Sequence, residues 1–318
     1  MSEYTVNPTE FGRVAVLMGG WSAERDVSLR SGAEVLKHLL AAGVDAYGLD
    51  ITTNYIEQLQ TEIFDCAFIV LHGGIGENGE IQAVLTALKK PFTGSGVLGS
   101  ALAMDKLRSK CIWSGLNLPT PQWQVLNSAE HCDAALQTLG LPLMVKPILE
   151  GSSIGISKVE NTDEMIAAWH LAAQYGAVIA EQYIEGVEVT VSIVGEMILP
   201  LVSMSTPRQF YDYDAKYHAD DTVFMCPAEV SDSVAADCQK VSKEAFNALG
   251  AAGWGRVDLI LDQDSKPWLI EVNAVPGMTD HSTVPMAATA ANIALPELML
   301  RILSSCDFPT AEQEVVCS

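Results

Sequence analysis

The sequence predicts an α/β protein that becomes richer in strand toward its C-terminus. Over the first hundred residues, short apolar runs alternate with helix-length amphipathic segments, the pattern of a parallel sheet covered by helices. From Val187 the period changes to two: Val189, Val191 and Ile193 alternate with Glu188, Thr190 and Ser192. Near the end, two apolar runs flank a polar turn, the signature of a β-hairpin. The 318 residues allow two or three domains.

Val14 to Met18 reads as a first strand running into Gly19-Gly20. Ser22 caps a helix from about Ala23 to Ala42, with Val35, Leu36, Leu39 and Leu40 on its apolar side and Gly43 past its end. Val44 to Leu49 is a second strand. Cys66 to Leu71 is a third, ending in His72-Gly73-Gly74, and a helix with Ile81, Val84, Leu85 and Leu88 follows. Ligands of parallel sheets bind beyond the strand C-termini, so both glycine-rich turns fall on a binding rim. Gly94-Ser95-Gly96 marks a boundary and closes an N-terminal unit, 1–96.

A helix containing Lys106 opens a central unit, 97–186. It holds a strand from Leu143 to Lys146, a flexible loop, a strand from Ile156 to Val159, a helix from about Asp163 to Gln174 capped by Asn161 or Thr162, and a strand from Ala177 to Gln182. The third unit, 187–318, continues with the alternating strand and a run from Met197 to Val202. A long aromatic and acidic segment from Phe210 to Asp221 follows, then a helix from about Ser231 to Leu249, the hairpin, and a last helix over roughly Ala287 to Ser304 interrupted at Pro296.

Eighteen basic residues against 40 acidic ones give a net charge of −22. That sign opposes nucleic-acid backbones and anionic membranes. It also requires any polyanion site to gather its few cations locally or to recruit metal ions. The seven cysteines (66, 111, 132, 226, 238, 306 and 317) form no C-x-x-C pair and fit free thiols in a reducing cytosol. The N-terminus has no basic stretch followed by an apolar one, so no signal peptide is expected. No run of about 18 apolar residues predicts a membrane span.

The hairpin carries the most chemistry. With an unbulged turn centred between Asp264 and Ser265, Asp258 lies opposite Glu271 and Arg256 opposite Asn273. Val257, Leu259 and Leu261 then share a core face with Trp268, Ile270 and Val272. Arg256, Asp258, Glu271 and Asn273 share the other face, with Ile260 and Leu269 nearer the turn. Directly opposed carboxylates repel. With an amide beside them they suit a hard cation such as Mg²⁺; solvated surface acids are the plain alternative.

Other segments point the same way less sharply. Lys146 followed by the small-residue loop Gly151-Ser152-Ser153-Ile154-Gly155 suits a phosphate, or an ordinary turn. Glu181, Tyr183 and Ile184 end a strand whose main chain can read an adenine edge. Glu188, seven residues on from Glu181, can accept from a ribose, although both acids also read as surface residues. The segment Phe210 to His218, with Lys216 and Tyr217, has the composition of a lid or of a surface loop. Glu24 either offsets a helix dipole or faces a cleft and holds an ammonium group. Val275-Pro276-Gly277 offers backbone N–H groups to an oxyanion, and Ser282 can bond a carboxylate. The first glycine-rich turn does not match G-x-G-x-x-G, which argues against a dehydrogenase.

Taken together, these pieces resemble the D-alanine–D-alanine ligase family within the ATP-grasp enzymes. The resemblance rests on Gly19 to Ser28, Leu71 to Gly74, Phe92 to Gly96, Met104-Asp105-Lys106, Val145 to Gly155, Tyr211 to Tyr217, Gly253 to Asp258 and Glu271 to Thr279, in the family's order over almost the whole chain. It implies an ATP-grasp fold preceded by an N-terminal parallel-sheet, Rossmann-like domain, with ATP held between the central and C-terminal units. By resemblance, Lys106, Lys146 and Ser153 would meet the phosphates. Glu181 with the Tyr183 and Ile184 backbone would meet the adenine, and Glu188 the ribose. Asp258, Glu271 and Asn273 would hold two Mg²⁺, with Mn²⁺ able to substitute. Glu24, with His72 nearby, would hold the ammonium of the first D-alanine, and Ser282 the carboxylate of the second. Glu24, Ser152 and Tyr217 would lock the lid. Lys216 would reach the γ-phosphate. Arg256 and the Gly277 N–H would stabilise a tetrahedral intermediate. The resemblance further implies a cytoplasmic homodimer serving peptidoglycan precursor synthesis.

Three positions depart from the family's pattern. Leu149 stands where Arg is common, Asn78 where Asp is usual, and Ala274 where Thr is frequent. A D-alanine–D-lactate ligase and a catalytically silent nucleotide-binding relative are the rival readings. Tyr217 favours amide over ester formation, and the joint presence of Arg256, Asp258, Glu271 and Asn273 favours turnover.

Overall fold

The computed structural model describes residues 6–205 and 222–306. The first unit is a three-stranded parallel sheet in the order β2-β1-β3, from β1 (Arg13–Gly19), β2 (Asp45–Ile51) and β3 (Cys66–Ile69). Helices α1 (Arg25–Ala41), α2 (Tyr55–Thr61) and α3 (Glu80–Ala87) connect its strands and follow them. β1 is buried on both faces from Val14 to Gly19, as a parallel strand covered by helices must be. α1 starts at Arg25, later than the sequence predicts. Ser22 does not cap it. Its hydroxyl accepts from the Glu24 N–H at 3.2 Å and donates to His72 O at 2.6 Å, tying one glycine-rich rim to the other. Leu40, predicted on the apolar side, is exposed, whereas Val35 and Leu39 are buried.

Helices α4 (Val97–Met104) and α5 (Lys106–Gly115) lead to a four-stranded antiparallel sheet in the order β4-β7-β5-β6. Its strands are β4 (Trp123–Leu126), β5 (Leu143–Pro147), β6 (Ser157–Val159) and β7 (Val178–Gln182), backed by α6 (Ala129–Leu139) and α7 (Met165–Ala173). α2, β4 and α6 are elements beyond those the sequence pattern predicts. The third sheet has six strands: β8 (Gly186–Val194), β9 (Met197–Ile198), β10 (Val202–Ser205), β11 (Val223–Met225), β12 (Trp254–Asp262) and β13 (Pro267–Asn273). Helix α8 (Asp232–Ala248) packs on it, with the Ser231 hydroxyl accepting from Val234 N at 3.4 Å as its cap.

The predicted last helix is two helices, α9 (Thr283–Ala290) and α10 (Leu295–Leu303), set 109° apart. The break is made by Asn292 in the left-handed region, φ 59°. Pro296 sits in the first turn of α10, where its missing N–H removes no helical bond.

The hairpin departs from the expected register at one point. Arg256 pairs with Asn273, Val257 with Val272 and Asp258 with Glu271, but Leu259 then pairs with Leu269. Ile270 is therefore the extra residue of a bulge. The bulge puts Leu269, fully buried, on the core face with Val257, Leu259 and Leu261, in place of the predicted Trp268 and Ile270.

Three apolar cores result. β4 to β7 pack with α6 and α7. β8, β12 and β13 pack with α8 and with Ala103 and Trp113 of α4 and α5. The third core is discontinuous: Val284, Ala287, Leu298 and Ile302 of α9 and α10 join Val14, Val16 and Phe68 of the first sheet and Leu39 of α1. The described cysteines are free thiols, and the Cys66 and Cys306 sulfurs lie 3.5 Å apart in this core. Among the described residues, no single helix is long and apolar enough to cross a membrane.

Candidate active site

A cleft of about 850 Å³ gathers side chains from all three regions. Glu24 and His72 come from the rim of the parallel sheet, Ser152 from the loop after β5, and Glu188 from β8. Arg256, Asp258, Glu271 and Asn273 come from the hairpin, and Gly277 and Ser282 from the loop before α9. Ten of the sequence-predicted site residues thus share one cavity. Lys216 and Tyr217 lie outside the described residues.

The polar hairpin face is fully paired. Arg256 grips the Asp258 carboxylate through Nε at 2.7 Å and Nη2 at 2.8 Å, and Asn273 Nδ2 donates to the same carboxylate at 2.8 Å. Lys106 Nζ stands 3.2 Å from Glu271 Oε2. Burial alone would lower the Arg256 pKa, but Asp258 outweighs it and raises the group further above its ordinary range. The repulsion of the two facing carboxylates, which on sequence alone calls for a cation, is already relieved by Arg256 and Lys106. The donor set nonetheless fits a hard divalent ion. Both acids and Asn273 line the cleft, and Nδ2 is the Asn273 atom that bonds Asp258, which leaves its Oδ1 as a further oxygen donor. Thr190, opposite Asp258 on β8, has a buried hydroxyl with no hydrogen-bond partner among the described residues. Among those residues no three His, Cys, Asp or Glu side chains form a metal cluster, so the set depends on the amide oxygen.

The residues expected around a nucleotide are knit together behind the cleft. Lys146 donates to Glu181 Oε1, and Lys110 Nζ stands 2.6 Å from Glu181 Oε2. Lys110 also donates to Thr120 Oγ1 at 2.9 Å, which donates to Leu269 O at 3.0 Å beside the bulge. Burial pushes the Glu181 carboxyl up, and Lys110 and Lys146 overcome this to hold it below the usual range. Burial, opposed by Glu181, pushes Lys110 down to about 8. Lys106 donates to Glu150 O at 2.6 Å and so fixes the start of the small-residue loop. The Tyr183 N–H is already given to Pro142 O at 3.1 Å, so the main chain left for a ligand here is the Tyr183 carbonyl and Ile184. Ser153 lies in the loop but does not line the cleft.

That loop is conformationally unusual. Ser152 and Ser153 have φ of 49° and 59°, a left-handed conformation that disfavours side chains by roughly 1–2 kcal/mol per residue. The conformation delivers the Ser152 hydroxyl to Glu24 Oε1. Gly73 is required opposite: a Cβ there would lie 2.7 Å from Glu24 Oε2. Leu149 is exposed; Asn78, just before the Gly79 N-cap of α3, accepts from Glu80 N at 2.9 Å; Ala274 is buried.

His72 bonds Val275 O through Nδ1 at 3.0 Å and Ser31 Oγ through Nε2 at 2.9 Å. Burial holds its pKa below the ordinary value. Nearby Glu77, also in the cleft wall, is pushed up to about 8 by burial and by the neighbouring charge of Glu24. Ser282 is the N-cap of α9 and accepts from Thr279 N at 3.0 Å. Gly277 faces it so closely that a Cβ would lie 2.8 Å from Ser282 Oγ. Ser31, Glu77 and Lys110 were not singled out from the sequence. The helical period placed Ser31 and Lys110 on α1 and α5 without showing what would pack against them.

Two antiparallel sheets meeting at a cleft lined by carboxylates and Arg256 and backed by buried lysines, fronted by a parallel-sheet domain, define an ATP-grasp ligase. The family described as D-ala D-ala ligase C-terminus matches residues 112–304. The D-alanine–D-alanine ligase of Ectopseudomonas mendocina is 52% identical over 301 residues, covering 94% of this chain and 96% of the relative. The crystal structure of D-alanine–D-alanine ligase from Bacillus anthracis complexed with ATP superposes with a TM-score of 0.80 at 33% identity, covering 92% of this chain and 96% of the other. A D-Ala:D-Ser ligase from Enterococcus faecalis has a TM-score of 0.82 at 26% identity, over 92% and 98% of the two chains. The chain belongs to the D-alanine–D-alanine ligase family.

Proposed function

We propose that this protein joins two molecules of D-alanine into D-alanyl-D-alanine, converting ATP to ADP and phosphate, for peptidoglycan precursor synthesis. The observation that carries the reading is the convergence of Glu24, Ser152, Arg256, Gly277 and Ser282 on the cavity that also holds Asp258, Glu271 and Asn273.

A carboxylate is a poor electrophile. In the first step a carboxylate oxygen of D-alanine attacks the γ-phosphorus of ATP, ADP departs, and an acyl phosphate forms. The amine of the second D-alanine then attacks the acyl carbon. The tetrahedral intermediate collapses with loss of inorganic phosphate and of the amine proton. Positioning and electrostatics supply most of the rate in such phosphoryl transfers.

Glu24, held by Ser152, takes the ammonium of the first D-alanine, with His72 alongside. Arg256 and the Gly277 N–H face the oxyanion. Ser282, at the start of α9, takes the carboxylate of the second D-alanine. Lys106, Lys146 and Ser153 serve the phosphates, Glu181, Tyr183 and Ile184 the adenine, and Glu188 the ribose. Asp258, Glu271 and Asn273 would hold two Mg²⁺, or Mn²⁺, which supply neutralisation of phosphate charge. Lys216 and Tyr217, outside the described residues, complete the γ-phosphate contact and the lid. The three units run 1–96, 97–186 and 187–318. We place the enzyme in the cytoplasm as a homodimer with small-molecule substrates and no nucleic-acid or membrane partner.

A coupled assay tests the reading: ATP, Mg²⁺ and D-alanine should yield ADP, phosphate and dipeptide in equal amounts. ADP release without dipeptide, or a depsipeptide formed in preference when D-lactate competes, would overturn it.

A further inference from the structure

The turn that carries Gly277 is held from outside the hairpin. On one side of Gly277, His72 Nδ1 lies 3.0 Å from Val275 O; on the other, the Met278 N–H donates to Ser31 Oγ at 3.2 Å. The two anchors are joined to each other, because Ser31 Oγ lies 2.9 Å from His72 Nε2. The proton assignment follows from chemistry. A carbonyl oxygen only accepts, so Nδ1 carries the ring proton. In a neutral imidazole Nε2 is then an acceptor, and the Ser31 hydroxyl donates to it. The Ser31 oxygen keeps a lone pair for Met278. Burial, which holds the His72 pKa down, agrees with a neutral ring.

Ser31 is fully buried and lies two helical turns beyond Glu24 on the same side of α1. One helix therefore presents Glu24 to the cleft and, through Ser31, fixes the loop on the far side of it. We infer that Ser31 is a positioning residue for the reaction: with His72 it locks the Val275–Met278 turn so that the Gly277 N–H meets the oxyanion of the tetrahedral intermediate. This deepens the ligase reading above and rests on it. Gly277 makes the arrangement tight, since a Cβ there would run into Ser282 Oγ at 2.8 Å. Small losses of register at an oxyanion donor are costly, because the donor must match the oxygen as charge develops.

The test uses the full chain with Ser31→Ala and Ser31→Cys, the second keeping the shape with a weaker hydrogen-bonding group. Steady-state kinetics with ATP and D-alanine are combined with the affinity for an uncleavable phosphinate dipeptide, a tetrahedral mimic. For Ser31→Ala, kcat should fall about 10–100-fold, and phosphinate affinity should fall by a similar factor. The KM for ATP should stay within about twofold, because uniform binding is untouched. Ser31→Cys should fall between wild type and Ser31→Ala. If Ser31→Ala does not fold, the cysteine variant alone decides. Wild-type kcat and phosphinate affinity in the folded variants would overturn the inference, as would a loss of kcat matched by an equal rise in the KM for ATP. Absence of dipeptide from the unmodified protein would instead overturn the ligase reading itself.

Discussion

The Ser152 hydroxyl donates to the Glu24 carboxylate across 128 residues of sequence, joining the small-residue loop of one sheet to the N-cap of α1 beside another. Breaking that link should cost activity through substrate capture. Glu24→Gln and Ser152→Ala should each lower kcat/KM for D-alanine about 10–100-fold, or about 1.4–2.8 kcal/mol. The double variant should be little worse than Glu24→Gln alone, since both remove one interaction. Additive losses in this double-mutant cycle would show that the two residues act independently.

Glu271 is opposed by Asp258 and neutralised by Lys106. Glu271→Gln should reduce Mg²⁺ affinity by at least about 10–100-fold. Turnover should fall accordingly and recover in part as Mg²⁺ is raised. Near-normal activity of this variant at low Mg²⁺ would remove Glu271 from the metal set.

Glu77 gives the metal-free protein a pH signature. Its carboxyl titrates at about 8 in the folded chain against 4.5 when exposed, mainly because burial disfavours the charge. Within that window the folded state holds a proton that the unfolded state has released. Stability therefore declines as pH rises from 4.5 to about 8, and the loss is complete above that. Glu77→Gln stays neutral throughout, so its melting temperature should change less across the window and exceed the wild-type value at the alkaline end. Parallel melting curves for the two proteins would show that Glu77 is not the titrating group.

Lys110 shares Glu181 with Lys146 in a site closed to solvent. Removing one partner of a buried pair costs about 3–5 kcal/mol when nothing else compensates. Because Lys146 remains, Lys110→Met should lose about 2–3 kcal/mol in urea unfolding. It should also raise the KM for ATP severalfold, with Glu181 no longer fixed from both sides. Unchanged unfolding would mean that Lys146 alone satisfies Glu181.

The open end of the hairpin was legible because period two and opposed polar residues agree there: Arg256, Asp258, Glu271 and Asn273 lie where the sequence puts them. The turn-proximal half was not, because Trp268, Leu269 and Ile270 are all apolar and no alternation marks the bulge. Glu24 was ambiguous locally and was resolved only by a contact with Ser152. Ser31 and Lys110 gave no signal, since their partners, Met278 and Glu181, are distant in sequence. The α9–α10 corner was misplaced because Pro296 is a conspicuous breaker, whereas the residue that turns the chain is Asn292 in a left-handed conformation.

The apolar core that α9 and α10 share with the opening parallel-sheet unit has a consequence for biosynthesis. While the protein is being made, β1 to β3 leave the ribosome long before α9 and α10, which complete the core that holds Val14, Val16 and Phe68, exist. The nascent N-terminal segment must wait with an unsealed apolar surface until α9 and α10 are translated. Chains cut short ahead of α9 should accordingly be bound by chaperones or degraded, rather than persist as independent folded fragments.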